Sequence, residues 1–274
     1  MTLRDALARA AALGLARIDA QLLLLHALGR AGNDRGWLLA HDDDALAPAA
    51  QGAFETLWRR RADGEPLAYL TGEKEFFGLP LQVDARVLVP RPDTETIVEW
   101  SLEILRPLAA PRVIDLGTGS GAIALALQSA RPDAQVEAVD HSADALAVAQ
   151  ANASRLALPV RFRQADWLAG AGRYDLVVSN PPYVREGDEH LPALRHEPRS
   201  ALVAGDEGLA DLRAIAAAAP AHLSPGGWLL LEHGWDQPEA VQALLRAAGF
   251  PHPRGRKDLS GITRCSGGQL PELG

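Results

Sequence analysis

The stretch that decides the fold is D-L-G-T-G-S-G-A, Asp115 to Ala122. It follows the apolar run Arg112–Leu116 and precedes an alanine- and leucine-rich stretch, so it joins a predicted strand to a predicted helix. Glycines let the main chain turn sharply and let a ligand approach it closely. The spacing Gly117-x-Gly119-x-x-Ala122 also matches the dinucleotide fingerprint, whose last position tolerates alanine. We therefore predict that this loop binds a nucleoside cofactor.

An acidic residue stands at the end of the next predicted strand. Asp140 closes the run Gln135–Asp140 and lies 23 residues after Gly117. A carboxylate at this place can accept hydrogen bonds from both hydroxyls of a ribose. The glycine loop and the acid together indicate a nucleoside cofactor, but they do not separate NAD from S-adenosylmethionine.

Asp166 and Trp167 follow the third predicted strand, Val160–Gln164. An aspartate at this location can accept the exocyclic amine of an adenine, and a tryptophan can cover the ring. An ordinary loop acid beside a core tryptophan explains the pair equally well. From the sequence alone, both interpretations stay open.

Strands and helices alternate from Pro111 onward. A fourth predicted strand is Tyr174–Ser179, and a fifth is Trp228–Glu232. A helix lies around residues 208–219, between these strands, and another is predicted over residues 238–248. This alternation predicts a parallel sheet with helices on both faces.

The first part of the chain has a different pattern. Residues 1–72 carry leucines at helical spacing without a run of β-branched residues, which is typical of a small helical bundle. Residues 73–90 then combine aromatic and β-branched residues with Gly78 and Pro80, the composition of a hairpin or an extended linker. We place the α/β domain at residues 91–274.

The composition excludes several classes of protein. The 274 residues include 27 Lys and Arg against 35 Asp and Glu, and the net charge of −8 argues against a protein that grips a nucleic-acid backbone over a wide face. The single cysteine, Cys265, excludes an internal disulfide and a cysteine metal cluster, and the isolated histidines suggest no metal site. No apolar run reaches the ~18 residues needed to span a bilayer. We expect a cytoplasmic protein.

The tetrapeptide N-P-P-Y, Asn180 to Tyr183, directly follows the fourth strand. Residues before proline favour extended backbone, and proline has a fixed φ, so this segment is a rigid platform. The Asn180 side-chain carbonyl and the Pro181 backbone carbonyl form two acceptors, which suit a planar –NH2 group with two hydrogens to donate. Tyr183 adds a face for stacking. This arrangement favours amino-group methylation, without a catalytic base at the motif, over a dehydrogenase.

The sequence resembles the N5-glutamine methyltransferases of peptide chain release factors, also called the PrmC or HemK family. The resemblance covers nearly the whole chain. The N-P-P-Y motif is shared with adenine-N6 DNA methyltransferases and other protein-glutamine methyltransferases, whereas the linker and the L-L-E-H-G block are more specific. The segments that carry the resemblance are Gly64–Leu81, Val87–Glu95, Asp115–Leu127, Asn180–Tyr183 and Gly226–Trp235.

The resemblance implies an α/β fold with a Rossmann-like, seven-stranded class I S-adenosylmethionine-dependent methyltransferase domain. A small N-terminal helical bundle, which helps to hold the release factor, and a β-hairpin linker precede it. The implied reaction methylates N5 of the glutamine in the Gly-Gly-Gln motif of class I release factors and leaves S-adenosyl-L-homocysteine. The implied cofactor-binding residues are Gly117, Thr118, Gly119, Ser120, Gly121, Asp140, Asp166, Trp167 and Asn180, and the implied catalytic residues are Asn180, Pro181, Pro182 and Tyr183.

Residues 91–95 are implied to close over the cofactor, and Asp93 or Thr94 is also expected to cap the following helix. The expected partners are class I release factors, with no direct nucleic acid, no membrane and a monomeric enzyme. Two alternatives stay open, an adenine-N6 nucleic-acid methyltransferase and a non-catalytic cofactor-binding scaffold. The net charge of −8 argues against a nucleic-acid substrate. The intact glycine loop, Asp140 and N-P-P-Y argue against a scaffold without catalysis.

Two further features lie near the C-terminus. Ser266–Leu270 contains a Gly-Gly-Gln of its own, which we interpret as a coincidence in a polar, frayed tail. Glu232 and His233 invite an acid–base interpretation, but their place at a strand end favours structural or cleft-lining roles.

Overall fold

The first 73 residues form a helical unit. The structure, a computed structural model, describes residues 1–272 and divides into two units, Met1–Glu73 and the chain from Lys74 onward. Buried leucines of the second helix and Phe54 fill the core of the first unit, as the leucine spacing predicts. The helices of this unit are α1 (Leu3–Ala12), α2 (Arg17–Ala27), α3 (Arg35–Ala40), α4 (Pro48–Ala62) and α5 (Leu67–Thr71).

A hairpin follows, as the resemblance predicts. Strands β1 (Glu73–Phe76) and β2 (Leu79–Gln82) are joined by Phe77 and Gly78, both with positive φ. The buried side chain of Asn152 holds β2, because its amide oxygen accepts from Gln82 N at 2.7 Å and its amide nitrogen donates to Gln82 O at 2.9 Å.

Helix α6 (Glu95–Leu105) begins after a short 3-10 turn, Pro92–Thr94. The prediction of an N-cap at Asp93 or Thr94 is confirmed in position, because Thr94 is the N-cap residue. Its hydroxyl makes no capping hydrogen bond and instead accepts one from Asn180.

Within residues 74–272, a seven-stranded sheet has the order β5-β4-β3-β6-β7-β9-β8. Strands β3 to β7 are parallel, and β9 is antiparallel to both neighbours. The patterns alone predicted the first five strands and not the last two, although the resemblance implied seven. The strands are β3 (Arg112–Leu116), β4 (Gln135–Asp140), β5 (Arg161–Gln164), β6 (Tyr174–Ser179), β7 (Leu223–Glu232), β8 (Arg254–Lys257) and β9 (Thr263–Gln269).

Helices cover both faces of this sheet. Alternate strand residues separate into two buried clusters, with Leu176 and Val178 in one and Val177 in the other, so the parallel strands are apolar on both sides. In residues 1–272, no helix is long and apolar enough to cross a bilayer. The remaining helices are α7 (Ala122–Ala130), α8 (Ala143–Leu156), α9 (Gly205–Gly208), α10 (Ala210–Ala218) and α11 (Pro238–Ala247).

The C-terminal Gly-Gly-Gln lies inside the sheet, so the prediction of a frayed tail is wrong. Gly267 and Gly268 belong to β9 and pair with Leu230 and Leu229 of β7. A Cβ on Gly267 would lie 2.3 Å from a methyl of Leu230, and one on Gly268 would lie 2.7 Å from the Cβ of Phe250. These glycines therefore let the core pack against the strand.

Candidate active site

The glycine loop and N-P-P-Y begin side by side. Strands β3 and β6 are neighbours, and their last residues, Leu116 and Ser179, are register partners. The buried Ser179 hydroxyl donates to the Leu116 carbonyl oxygen at 2.7 Å. Gly117 and Asn180 follow immediately, at the point where the chain reverses its direction of winding through the sheet. Ligands of open α/β sheets bind in the crevice at such a point.

A cleft of about 350 Å³ opens at this edge. Its volume lies in the range of small-molecule sites. Gly121, Pro181 and Tyr183 are not among the residues that line it. The predicted site residues that do line it are Gly117, Thr118, Gly119, Ser120, Asp140, Asp166, Trp167, Asn180 and Pro182.

The carboxylate of Asp140 is nearly buried and held by the main chain. Its Oδ2 accepts from Gly119 N and its Oδ1 from Ser142 N, each at 2.9 Å. A carboxylate has about four lone-pair sites, so it can accept further donors beyond these two main-chain groups. The acid thus orders the glycine loop and keeps the capacity to accept the two hydroxyls of a ribose, which fits a nucleoside cofactor.

Asp115 supports the same loop from beneath. It is buried, and its Oδ2 accepts from the Thr118 hydroxyl at 2.6 Å and from Ala124 N at 3.2 Å. Its Oδ1 has no hydrogen-bond partner among the described residues. Burial raises the pKa of Asp115 to about 7, and the two hydrogen bonds oppose that rise. Gly121 is set behind the loop, where α7 packs closely against α8.

Trp167 lies over the start of the glycine loop. Its ring would be 3.3 Å from a Cβ on Gly117, and its main chain has a positive φ of 45°. The same side chain is half-buried against the core, which fits the interpretation as a core tryptophan, and it also lines the cleft, where contact with an adenine stays a prediction. Asp166 lines the cleft together with Asp211. Burial raises the pKa of the Asp211 carboxyl, and the Asp166 charge adds to the rise.

The amide of Asn180 is oriented by Thr94. Asn180 Nδ2 donates to Thr94 Oγ1 at 3.3 Å, and both residues line the cleft. Because Nδ2 donates to Thr94, the amide is held in one orientation, in which Oδ1 can accept a hydrogen bond from a ligand. The contact joins residues 86 positions apart in the chain, so no local pattern could predict it.

Tyr183 is held from both ends. Its hydroxyl donates to Glu232 Oε1 at 3.4 Å, and its carbonyl oxygen accepts from Gln237 Nε2 at 3.1 Å. Gly208 passes so close that a Cβ there would lie 2.2 Å from the Tyr183 carbonyl oxygen, so this glycine is needed for the platform. Burial and the neighbouring Glu232 raise the pKa of the Tyr183 hydroxyl.

Glu232 and His233 are buried and lie outside the lining of the cleft. Burial raises the pKa of Glu232 to about 7, against the effect of hydrogen bonds from Thr94 and Tyr183. Burial also lowers the pKa of His233, whose Nδ1 and Nε2 bond the Gly234 carbonyl at 2.9 Å and the Ser266 hydroxyl at 2.9 Å. This arrangement supports the structural interpretation of both residues.

An ion pair joins two walls of the cleft. Glu197 is buried, pairs with Arg91 and accepts from Val89 N at 3.1 Å. Residues 86–94 contribute one wall, and residues 198–203 contribute another. Glu197 therefore holds Arg91, the first of residues 91–95, which are predicted to close over the cofactor. The sequence pattern did not single it out, because a glutamate in a loop after the motif carries no periodic signal.

The sheet order and the cleft at its switch point define a class I S-adenosylmethionine-dependent methyltransferase. The methyltransferase small domain family matches residues 99–201, and the PrmC N-terminal domain family matches residues 2–72. The release factor glutamine methyltransferase of Bordetella pertussis is 52% identical over 262 residues, covering 94% of this chain and 96% of that protein. The protein of the same name from Xylella fastidiosa (strain Temecula1) is 49% identical, covering 97% and 98%.

The chain belongs to the family of release factor glutamine methyltransferases, and its cofactor is S-adenosylmethionine. More distant solved structures share the fold. The hMettl16 catalytic domain has a TM-score of 0.60 at 16% identity, covering 79% of this chain and 81% of that one. The 16S rRNA N2 G1207 methyltransferase of Thermus thermophilus, in complex with AdoMet and guanosine, has a TM-score of 0.55 at 22% identity, covering 72% and 49%.

Proposed function

We propose that this enzyme methylates N5 of the glutamine side chain in the Gly-Gly-Gln motif of class I peptide chain release factors. The observation that carries the proposal is the orientation of Asn180 by Thr94 beside the glycine loop. The identity of 45–52% to proteins named for this activity supports the choice of substrate.

The residues bind the two substrates on adjoining strand ends. Asp140 accepts the ribose hydroxyls, and Trp167 and Asp166 cover and bind the adenine. S-adenosylmethionine, when bound, supplies an electrophilic methyl group on sulfur. Asn180 Oδ1 and the Pro181 carbonyl oxygen accept the two N–H groups of the glutamine amide, Pro182 lines the cleft, and Tyr183, outside the lining of the cleft, supports the platform.

These two acceptors also favour the transition state. An amide nitrogen is a weak nucleophile, because its lone pair is delocalised into the carbonyl. As the N–C bond forms, positive charge develops on the N–H groups, so both hydrogen bonds strengthen in the transition state. The amide nitrogen gains the methyl group, whose former bonding electron pair would remain on the sulfur of the departing S-adenosylhomocysteine, and it loses one proton to solvent. Oriented acceptors, rather than a base, lower the barrier.

A transfer assay tests the proposal. Labelled S-adenosylmethionine is offered with a release factor, with its variant in which the Gly-Gly-Gln glutamine is alanine, and with duplex DNA. We expect label on the unaltered release factor alone. Label on DNA and none on the release factor would favour adenine-N6 methylation instead. The cytoplasmic location, the monomeric state and the absence of direct nucleic-acid binding stay predictions.

A further inference from the structure

The L-L-E-H-G-W block ends in an exposed aromatic residue. Glu232 and His233 are at most 1% exposed, whereas Trp235, two residues later, is 68% exposed. A large apolar side chain that follows a buried strand end and turns to solvent loses the stabilisation of burial, about 2 kcal/mol or more. The core therefore does not account for this tryptophan.

The turn that carries Trp235 is anchored to the catalytic motif. Gly234 N donates to Gln237 Oε1 at 2.8 Å, and Gln237 Nε2 donates to the Tyr183 carbonyl oxygen at 3.1 Å. Asp236 also pairs with Arg185 at 3.2 Å. The residues on both sides of Trp235 thus hold the segment that leaves N-P-P-Y.

Trp235 also lies at the edge of the sheet from which N-P-P-Y projects. Strand β7 runs parallel to β6, so the turn after Glu232 and the motif after Ser179 project from the same edge. A glutamine that reaches Asn180 arrives on a polypeptide, whose flanking residues must lie over the surface beside the motif. A tryptophan on a turn whose neighbouring residues are hydrogen-bonded offers a large contact area at a small cost in side-chain entropy.

We propose that Trp235 is the docking anchor for the release factor segment that flanks the methylated glutamine. The proposal rests on the proposed function for the identity of the partner. It commits to the release factor as occupant because Gln237 bonds the turn that carries Trp235 to the motif that would receive the release factor's glutamine.

The test compares Trp235→Ala with a matched control. Leu259→Ala removes another exposed apolar side chain, on the turn between β8 and β9 and with no bond to Tyr183. The Kd for the release factor, with S-adenosylhomocysteine present, is measured by calorimetry, and KM and kcat are measured by methyl transfer. For Trp235→Ala we expect Kd and KM to rise about tenfold, with kcat within about twofold, because a central anchor has been truncated. Trp235→Tyr should recover most of the affinity, and Leu259→Ala should match the original enzyme.

Two outcomes would overturn the proposal. One is an unchanged Kd in Trp235→Ala, whether or not the enzyme's own oligomeric state changes. The other is a fall in kcat and cofactor affinity that matches the rise in KM. The binding measurement does not depend on turnover. Binding without methylation would therefore contradict the proposed function alone, whereas methylation with an unchanged Kd in the variant would contradict the docking proposal alone.

Discussion

The Ser179 hydroxyl donates a 2.7 Å hydrogen bond to the carbonyl oxygen of Leu116, its register partner on the neighbouring strand. This one bond joins the residue before the glycine loop to the residue before N-P-P-Y. The cofactor loop and the substrate platform therefore share a common support, and the distance between them depends on the core of the sheet.

We expect Ser179→Ala to lower both stability and turnover. The free energy of unfolding should fall by about 1 kcal/mol, because a buried carbonyl loses its donor. Turnover should fall about tenfold, because small displacements of reacting groups are costly. Chemical denaturation and a transfer assay measure the two effects. Ser101→Ala is the control, since it removes another buried hydroxyl, bonded to the Ile97 carbonyl at 2.7 Å. An equal loss of turnover in both variants would attribute the effect to stability alone.

Asn180→Ala should lower kcat by about 10²–10³, by analogy with the deletion of one oriented group from an oxyanion hole. Cofactor binding should stay measurable, since Asp140 and the glycine loop are untouched. Single-turnover methyl transfer and cofactor calorimetry measure the two quantities. Unchanged turnover would refute the role assigned to the amide oxygen.

Glu197→Gln should weaken cofactor binding about tenfold, equivalent to about 1.4 kcal/mol. The buried carboxylate loses its charge, and Arg91, whose side chain is 38% exposed, can move into solvent and release its wall of the cleft. Glu186→Gln is the control, because Glu186 pairs with Arg199 at an exposed position. Exposed pairs contribute little, so we expect no change there. Equal cofactor dissociation constants in both variants would contradict the role of Glu197.

Glu232→Gln should change the pH dependence of stability. Burial raises the pKa of Glu232 from 4.5 to about 7, so the folded state binds a proton that the unfolded state releases between those values. The free energy of unfolding of the original enzyme therefore falls as pH rises through this window, by up to about 3 kcal/mol. The glutamine variant does not lose stability in this way. Its free energy of unfolding should therefore rise relative to that of the original enzyme between pH 5 and pH 8. Chemical denaturation at pH 5 and pH 8 measures the difference in stability between the variant and the original enzyme. Glu189→Gln, at an exposed position, is the control. A difference that is the same at both pH values would exclude the titration of Glu232 in this range.

Local patterns predicted the strand–loop–helix around Asp115–Ala122, the helical first unit and N-P-P-Y at a strand end, and they left residues 73–90 open between a hairpin and an extended linker. They missed β8 and β9, because Arg254–Lys257 is a short polar strand and Thr263–Gln269 contains two glycines. Strand propensity reflects packing against neighbours more than an intrinsic preference of the backbone. Those glycines are strand residues here because Leu230 and Phe250 occupy the space of a side chain.

The sequence by itself determined the class of chemistry, since fixed φ at Pro181 and Pro182, glycines in one turn and an acid at a strand end are local properties of the chain. Only the tertiary structure decided which side chains support that chemistry. Thr94 meets Asn180, Glu197 meets Arg91 and Gln237 meets Tyr183 across 86, 106 and 54 residues. Such contacts form when parallel strands place their carboxyl ends at one edge, and spacing along the chain carries no record of them.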